Sequence, residues 1–285
     1  MNYVGEKRFW TCRDSRIEVG NRTRIMGILN VTPDSFSDGG LYNDVERAVQ
    51  RGLHMEEEGA DIIDVGGEST RPGSEAVSET DELDRVIPVI SELYAKVKVP
   101  ISIDTTKPTV AAEAIRAGAS IVNDISGLTF DGRMKNVVAD GGAGVVIMHI
   151  KGQPKTMQQD VRYNNLIEDI FSALSRAIMT AQRAGIEPER IVIDPGIGFG
   201  KTVEHNFEII RELKHFQKLG RPILVGPSRK SFIGKTLNLA TDQRLEGTIA
   251  AVTACILHGA DIVRVHDVQE VKRSVMIADK ILGKN

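Results

Sequence analysis

The chain has 285 residues, of which 41% are hydrophobic, and its 36 basic and 39 acidic residues give a net charge of −3. This composition is typical of globular proteins and excludes disordered and collagen-like proteins. The two cysteines, Cys12 and Cys255, form no spaced framework, which excludes a disulfide scaffold. The near-neutral charge disfavours binding to nucleic acid through its phosphates. The longest mostly apolar run, residues 249–257, is too short to cross a bilayer, and the first ten residues lack the apolar core of a secretory signal. We therefore expect a cytoplasmic protein that acts on a small molecule and binds neither nucleic acid nor membrane.

Residues 1–24 form a short segment that precedes the first long apolar run. Two stretches in it, FWTC and RIEV, have the composition of strands, with Asp14 and Ser15 at the turn between them. The pattern predicts a β-hairpin extension that closes the floor of the domain that follows.

From residue 25 onward, short β-branched runs alternate with longer segments of helical spacing, which is typical of parallel β/α units. The predicted strands are residues 25–30, 62–65, 101–104, 121–124, 145–149, 191–194, 223–225 and 262–266. The predicted helices are residues 45–58, 81–96, 110–117, 132–140, 166–184, 203–219, 244–257 and 271–282. Eight units of about 36 residues account for the length without a linker. The sequence therefore predicts an α/β fold, a single (β/α)8 TIM barrel over residues 25–285, rather than two domains.

Polar side chains end seven of the eight predicted strands, at the edge of the barrel where active sites lie. They are Asn30, Asp64, Asp104, Asn123 with Asp124, His149, Asp194, and Arg264 with His266. One such residue is usually a cap or turn residue, and we assign that role to Asp64 and Asp124. The repetition around the barrel indicates a functional site.

The loops after the first two strands, residues 32–43 and 66–78, are longer than is usual in β/α units. Both contain glycine, and Phe36 and the Arg71-Pro72 pair are unexpected in loops selected only for solubility. We interpret these loops as lids over the mouth of the barrel.

The seventh and eighth loops build phosphate sites in many barrels. Here they contain the sequence SRKS at residues 228–231, together with Arg264 and His266. These side chains donate hydrogen bonds and carry positive charge, so they indicate an anionic group on the substrate. Arg264 stands between two valines of a buried strand, and we expect its side chain to point into the mouth.

Asp104, Asn123 and Asp194 are expected to face one another across the mouth. Carboxylates accept paired hydrogen bonds and the amide both donates and accepts, which suits a flat heterocycle bearing amino and amide N–H groups. A paired-carboxylate acid/base site of glycosidase type and a divalent-metal site stay open, because spacing alone excludes neither.

Several other motifs fail on inspection. The sequence GIGFGKT at residues 196–202 lacks the first glycine of a P-loop and does not match GxGxxG, and neither HExxH nor GxSxG occurs. Cys255 and His258 lie on an apolar helix face, where a place in the core is more plausible than a metal site.

Taken together, these residues resemble the dihydropteroate synthase family of bacterial type, over residues 25–268. The motifs that carry the resemblance are IMGILNVTPDSFSDGG (25–40), DIIDVGGESTRPG (61–73), ISIDT (101–105), ASIVNDISG (119–127), VVIMHIKGQPKTMQ (145–158), IVIDPGIGFGKTVEHN (191–206), PILVGPSRKSFIG (222–234) and GADIVRVHDV (259–268).

The resemblance implies an enzyme of folate biosynthesis that condenses 6-hydroxymethyl-7,8-dihydropterin diphosphate with 4-aminobenzoate, with Mg²⁺ as cofactor. The products would be 7,8-dihydropteroate and diphosphate. A dissociative, SN1-like mechanism suits the residues present, because diphosphate leaves readily once cationic donors neutralise it. Sulfonamides as competitors and a homodimer are further implications.

The resemblance also assigns roles to individual residues. The pterin would be held by Asp104, Asn123, Ile125, Met148, Asp194, Phe199 and Lys230. The diphosphate would be held by Asn30, Thr70, Arg264 and His266, with Asn30 also serving Mg²⁺. The aminobenzoate pocket would be shaped by Phe36, Arg71, Pro72, Phe199, Lys230 and Ser231, and Asp38 would help to close the site.

Two alternatives share parts of this pattern. The pterin-binding barrel of corrinoid-dependent methyltransferases has similar carboxylate and amide contacts but gives no reason for the STRPG and SRKS motifs. A paralogue that binds pterins without catalysis is the other, although the complete basic and lid motifs argue against it.

Overall fold

The computed structural model describes residues 8–32, 40–69, 73–159 and 161–284. The strands in these ranges are β1 (Arg8–Cys12), β2 (Ser15–Val19), β3 (Arg24–Asn30), β4 (Ile62–Gly66), β5 (Ile101–Asp104), β6 (Ile121–Asp124), β7 (Gly144–Met148), β8 (Ile191–Asp194), β9 (Leu224–Val225) and β10 (Ile262–Val265). The α-helices are α1 (Gly40–Glu58), α2 (Glu79–Tyr94), α3 (Pro108–Ala117), α4 (Met134–Gly141), α5 (Leu166–Arg183), α6 (Val203–Arg211), α7 (Ser231–Leu237), α8 (Leu245–Leu257) and α9 (Val268–Ile281).

Strands β3 to β10 form one parallel sheet in the order β8-β7-β6-β5-β4-β3-β10-β9. The two ends of this sheet meet, because Ile193 of β8 bridges to Ile223 just before β9 and its N–H donates to the carbonyl of Pro222 at 3.0 Å. Helices follow the strands along the chain and pack around them. The predicted (β/α)8 barrel is therefore confirmed.

The hairpin β1–β2 fills the floor of the barrel. Its two strands pair antiparallel, and their apolar side chains form one buried cluster with interior residues of seven barrel strands. The cluster comprises Trp10, Cys12, Ile17, Val19, Met26, Ile62, Ile121, Val146, Val192, Leu224 and Ile262. The indole N–H of Trp10 also donates to the carbonyl of Arg190 at 2.9 Å. The expected role of this segment as a floor is confirmed.

The hairpin turn lies one residue earlier than predicted. Cys12 pairs with Ser15, so the turn consists of Arg13 and Asp14, and Arg13 has a φ of 50°. The Arg13 side chain donates to the carbonyl of Ile115 at 2.6 Å. Tertiary contacts thus hold an arginine in a left-handed conformation that its own preferences disfavour.

The helices differ from prediction mainly around β9. The predicted helix 203–219 ends at Arg211 as α6, and a 3-10 helix, Leu213–Leu219, follows it. Helix α7 lies where the sequence pattern predicts a loop. Within the described ranges, no helix combines the length and apolar character that a bilayer span requires.

Candidate active site

A cavity of about 480 Å³ opens at the carboxyl ends of the barrel strands, opposite the hairpin. Its walls include six of the residues singled out from the sequence: Asn30, Asp104, Lys230, Ser231, Arg264 and His266. These residues come from β3, β5, the region around the start of α7, and the end of β10. The parallel sheet brings them to one mouth although they are far apart in sequence.

Arg264 joins two buried carboxylates at the base of this cavity. Its Nε donates to Asp64 Oδ2 at 2.5 Å, and its Nη2 donates to Asp104 Oδ2 at 2.7 Å. Asn123 Nδ2 donates to the same oxygen of Asp64 at 2.9 Å. The expectation that Arg264 points into the mouth is confirmed, and Asp64 is the residue that fixes both Arg264 and Asn123.

The turn role assigned to Asp64 is wrong. Asp64 lies in β4 and is fully buried, and it alternates with Ile63 and Val65, which pack outside the barrel. Its side chain therefore faces the interior, above Ile62 of the floor cluster. This alternation was the sequence signal that would have identified it. The predicted turn role is confirmed for Asp124, which accepts from the N–H groups of Ser126 and Leu128 at 2.8 Å each.

Asp104 presents an unsatisfied acceptor. Its Oδ1 is buried and has no hydrogen-bond partner in the described part of the chain, whereas its other oxygen binds Arg264. Burial raises the pKa of Asp104 above its ordinary value, against the opposing charge of Arg264. Buried acceptors in folded proteins are normally paired, so Oδ1 is available for an N–H group of a ligand.

Asp194 ends β8 and is also buried. Its Oδ1 accepts from the N–H of Gly196 at 2.7 Å. Burial raises the pKa of Asp194 to about 6, and the Gly196 bond and the charges of Lys201, Lys230 and Arg264 oppose this rise. Asn123 and Asp194 do not line the 480 Å³ cavity itself; they are the strand neighbours of Asp104 and Met148.

An apolar wall lies beside these polar groups. Ile125, Met148 and Phe199, all expected near a pterin ring, form a separate buried cluster together with Met157. Lys230 Nζ lies 3.9 Å from the centroid of the Phe199 ring, a cation–π contact. Met157 also lines the cavity, but it lies in the loop after β7, where no strand-end position marks it.

Two of the basic residues at the mouth have carboxylate partners, which partly neutralise their positive charge. Arg229 donates through Nε to Asp267 at 3.0 Å, in addition to the two pairs made by Arg264. Arg244, by contrast, has no carboxylate partner in the described ranges and donates to the carbonyl groups of Arg229 and Leu239 at 3.0 and 3.2 Å. It lines the cavity, but sequence reasoning took it only for the first residue of a helix.

His266 is held by Ser228 beneath the mouth. Its Nδ1 lies 2.9 Å from Ser228 Oγ, and its own N–H donates to that oxygen at 3.3 Å. Ser228 thus fixes the orientation of the His266 ring on the cavity wall.

Five predicted residues lie outside the described residues: Phe36, Asp38, Thr70, Arg71 and Pro72. Their roles stay predictions.

The described residues contain no group of three or more His, Cys, Asp or Glu side chains arranged to hold a metal ion. Asn30 supplies one amide oxygen on the cavity wall. Mg²⁺ prefers oxygen ligands, keeps several waters, and is commonly held by one or two protein oxygens and substrate phosphates. The donor set therefore fits a magnesium ion that is held chiefly by a bound diphosphate.

The sequence matches the family of pterin-binding enzymes over residues 26–266. It is 49% identical to the dihydropteroate synthase of Synechocystis sp. over 263 residues, covering 92% of this chain and 91% of that protein. The chain belongs to the dihydropteroate synthase family.

Crystal structures of family members agree with the barrel described above. The Yersinia pestis dihydropteroate synthase with a sulfonamide drug has a TM-score of 0.91 and 41% identity, covering 96% of this chain and 99% of that one. The Xanthomonas albilineans dihydropteroate synthase in complex with 7,8-dihydropteroate has a TM-score of 0.85 and 38% identity, covering 96% and 98%. The dihydropteroate synthase family thus accounts for both the sequence and the fold.

Proposed function

We propose that this chain condenses 6-hydroxymethyl-7,8-dihydropterin diphosphate with 4-aminobenzoate to give 7,8-dihydropteroate and diphosphate, a transfer of a pterinylmethyl group. The observation that carries the proposal is the set of buried acceptors beside an apolar wall, at the mouth of a barrel of this family. Asp104 Oδ1 is a buried acceptor with no partner in the described chain, and Asp194 is a second buried carboxylate. A pterin carries the adjacent amino and ring N–H groups that such acceptors bind.

The pterin is held at the base of the site. Asp104, Asn123 and Asp194 bind its polar edge, while Met148 and Phe199 contact the ring together with Ile125. Lys230 lies over Phe199 and is within reach of an acceptor on the pterin. The orientation places the substituted methylene of the pterin towards the cavity and its basic residues.

The diphosphate binds in the cavity, to Asn30, Thr70, Arg264 and His266. Arg264 uses two of its N–H groups on Asp64 and Asp104, and a guanidinium has five, so donors are left for phosphate oxygens. Arg244 adds a further cation on the same wall. Asn30 would hold Mg²⁺ together with oxygens of the diphosphate, and the ion would supply positive charge that offsets the charge of the leaving group.

The reaction is dissociative. The C–O bond between the methylene and the diphosphate breaks first, and the electron pair leaves with the diphosphate. Asp104 and Asp194 stabilise the resulting pterin cation through the ring, since negative charges fixed in a buried site act strongly on developing positive charge. The neutral amino group of 4-aminobenzoate then forms the C–N bond and loses a proton.

Aminobenzoate is placed at the outer part of the cavity. Ser231, Phe199 and Lys230 lie on its described side, and we assign the remainder to Phe36, Arg71 and Pro72 as the family resemblance implies. Asp38 and the two long loops would exclude water that otherwise traps the cation. A homodimer and a cytoplasmic location belong to the same proposal.

Diphosphate release, measured with each substrate alone and with both together in the presence of Mg²⁺, tests this function. We expect release that depends on both substrates and falls when a sulfonamide competes with aminobenzoate. Binding of the pterin without diphosphate release would identify a silent paralogue. Methyl transfer from a methylated pterin to a corrinoid, without diphosphate release, would identify the methyltransferase.

A further inference from the structure

Lys201 is a lysine that the fold buries almost completely, with 2% of its surface exposed. It lies in the loop between β8 and α6, outside the residue set assigned above. Its Nζ lies 2.9 Å from the carbonyl oxygen of Phe199, 3.2 Å from that of His149 and 3.0 Å from His149 Nδ1. A buried ammonium is costly unless its donors are satisfied, so this arrangement requires a reason.

The three contacts match the three N–H groups of an ammonium. They require His149 to be neutral with Nδ1 as the acceptor, and burial, aided by the charge of Lys201, lowers the pKa of His149 to about 2. Lys201 thereby joins the residue that follows β7 to the loop that follows β8. Burial lowers the pKa of Lys201 itself to about 7, and the charge of Asp194 opposes that change.

The loop that carries Lys201 passes very close to β7. Gly196 has a φ of 75°, and a Cβ atom placed on it would overlap the carbonyl oxygen of His149 and lie 3.2 Å from Lys201 Nζ. Gly196 of GIGFGKT therefore serves the close approach of two chain segments around a lysine head group. This close approach explains why a glycine occurs here in a motif that resembles a nucleotide-binding loop.

We propose that Lys201 is a positioning residue of the pterin subsite, which fixes the backbone of Phe199 and places a buried positive charge beside Asp194. The proposal rests on the function proposed above. By donating to the Phe199 carbonyl, Lys201 fixes the position of the Phe199 ring that packs against the pterin. By its charge, Lys201 favours the ionised form of Asp194 that accepts the pterin N–H groups.

Other charged and titratable groups also act on this pair, and each stays in place in the test below. Those that act on Asp194, Lys201 or His149, or that respond to Asp194, are Lys151, Lys230, Cys255 and Arg264.

The test replaces the ammonium by an apolar chain of similar length, Lys201→Met. We expect the dissociation constant of 6-hydroxymethyl-7,8-dihydropterin, measured by calorimetry at pH 6.5, where Lys201 with its pKa of about 7 is mostly charged, to rise about tenfold or more, which corresponds to about 1.4 kcal/mol. The KM for aminobenzoate should rise by a smaller factor than the pterin dissociation constant, because Lys201 acts on the aminobenzoate subsite through Phe199 alone, whereas it acts on the pterin subsite through both Phe199 and Asp194. The acid limb of the pterin affinity should move up by about one pH unit.

Lys155→Met is the matched control, because Lys155 is an exposed lysine in the loop after β7 whose ammonium pairs with Glu75. It should leave all three quantities unchanged. Lys201→Gln, which keeps two N–H donors for the carbonyl groups but no charge, serves if Lys201→Met does not fold, and should show the same shift of the acid limb. Unchanged pterin affinity, or an equal loss for both substrates with no shift of the acid limb, would overturn the inference. Diphosphate release by the unmodified protein is measured separately, so failure of the proposed function is distinguishable from failure of this inference.

Discussion

Asp64, Asp104 and Asp194 place three carboxylates around the base of one site, and two of them share a single guanidinium. Arg264 offsets part of this negative charge directly, and the charges of Lys201 and Lys230 also act on Asp194. Bringing these groups out of water is costly. The arrangement is the one expected when a site must bind donors and then stabilise positive charge on the bound molecule.

Asp194→Ala removes a charged acceptor from the pterin subsite. We expect pterin binding to weaken by about 1.5 to 3 kcal/mol or more, because hydrogen bonds to charged groups contribute about that much. Calorimetry with 6-hydroxymethyl-7,8-dihydropterin measures the change. Asp140→Ala, at an exposed position of α4, is the control, and an Asp194→Ala variant that binds like the control would refute the assignment.

The pH dependence follows from the raised pKa of Asp194, about 6. Pterin affinity should fall as the pH drops through about 6, because protonation removes the Asp194 acceptor. Protonation of Asp104, whose pKa burial raises to about 7, should add to this loss. The stability of the unliganded protein has the opposite sign: the folded state binds this proton more tightly than the unfolded state does. The contribution of Asp194 to stability is therefore full below its ordinary pKa of 3.8 and is lost as the pH rises through about 6.

Calorimetric titrations between pH 5 and 8, paired with urea unfolding at the same pH values, measure both trends. Asp194→Asn should remove the contribution of Asp194 from both trends, since it cannot titrate, and leave the contribution of Asp104. Parallel pH profiles for the variant and the unmodified protein would show that another group controls them.

Asp64→Ala leaves Arg264 with one carboxylate and removes the acceptor of Asn123. Breaking a buried ion pair on one side is expected to lower the free energy of unfolding by about 3 to 5 kcal/mol. The midpoint of urea denaturation reports the loss, and the KM for the pterin diphosphate should rise as well. A variant with an unchanged midpoint would mean that water replaces the carboxylate, and that Asp64 does not hold Arg264 in place.

The barrel strands and the hairpin are elements that sequence pattern could predict, because short β-branched runs bounded by polar residues leave few alternatives. Strands β5, β6 and β8 occur at the predicted residues. Helix α7 could not be predicted in the same way, since its seven residues include Gly234 and follow a basic loop. The split of segment 203–219 likewise depends on where Leu213 and Phe216 find the core, which is a tertiary property.

Trp10→Ala tests the hairpin as the floor. Trp10 is fully buried and hydrogen-bonded, and truncating a buried tryptophan costs about 3 to 5 kcal/mol. Urea denaturation monitored by far-UV circular dichroism gives the change. Phe9→Ala is the matched control, because Phe9 precedes it in β1 with 38% of its surface exposed. Equal losses for the two variants would mean that β1 stabilises the barrel without filling its floor.

At the scale of the whole molecule, a net charge of −3 conceals cations gathered at one end. Lys230, Arg244 and Arg264 line the cavity, so an anionic substrate is attracted to the mouth although the protein is acidic. We expect the KM for the pterin diphosphate to rise when salt increases from about 0.1 to 1 M, because the screening length falls from about 10 to 3 Å. Steady-state kinetics measure this rise, and binding of the uncharged pterin alcohol should change little over the same range.

The sequence placed most of the site at the mouth because strand ends in a parallel barrel share one edge, as Asn30, Asp104, Arg264 and His266 show. It could not show which charges pair with one another. Whether Arg264 meets Asp64, or Arg229 meets Asp267, depends on side-chain directions that strand-end position alone does not specify. Arg244 and Met157 were missed for a related reason, since they reach the cavity from segments without a strand-end position.

The hairpin at the floor also affects the order in which the two substrates bind. With Trp10 and its neighbours packed into the opposite end, both substrates enter and both products leave through the mouth. Asp104 and Asp194 are buried at the base, whereas Ser231 is exposed on the cavity wall. In the proposed reaction, an aminobenzoate that arrived first would stand in the path of the pterin, so this arrangement favours binding of the pterin diphosphate before aminobenzoate. In the same proposal, dihydropteroate leaves through the mouth before the next pterin diphosphate reaches the base of the site.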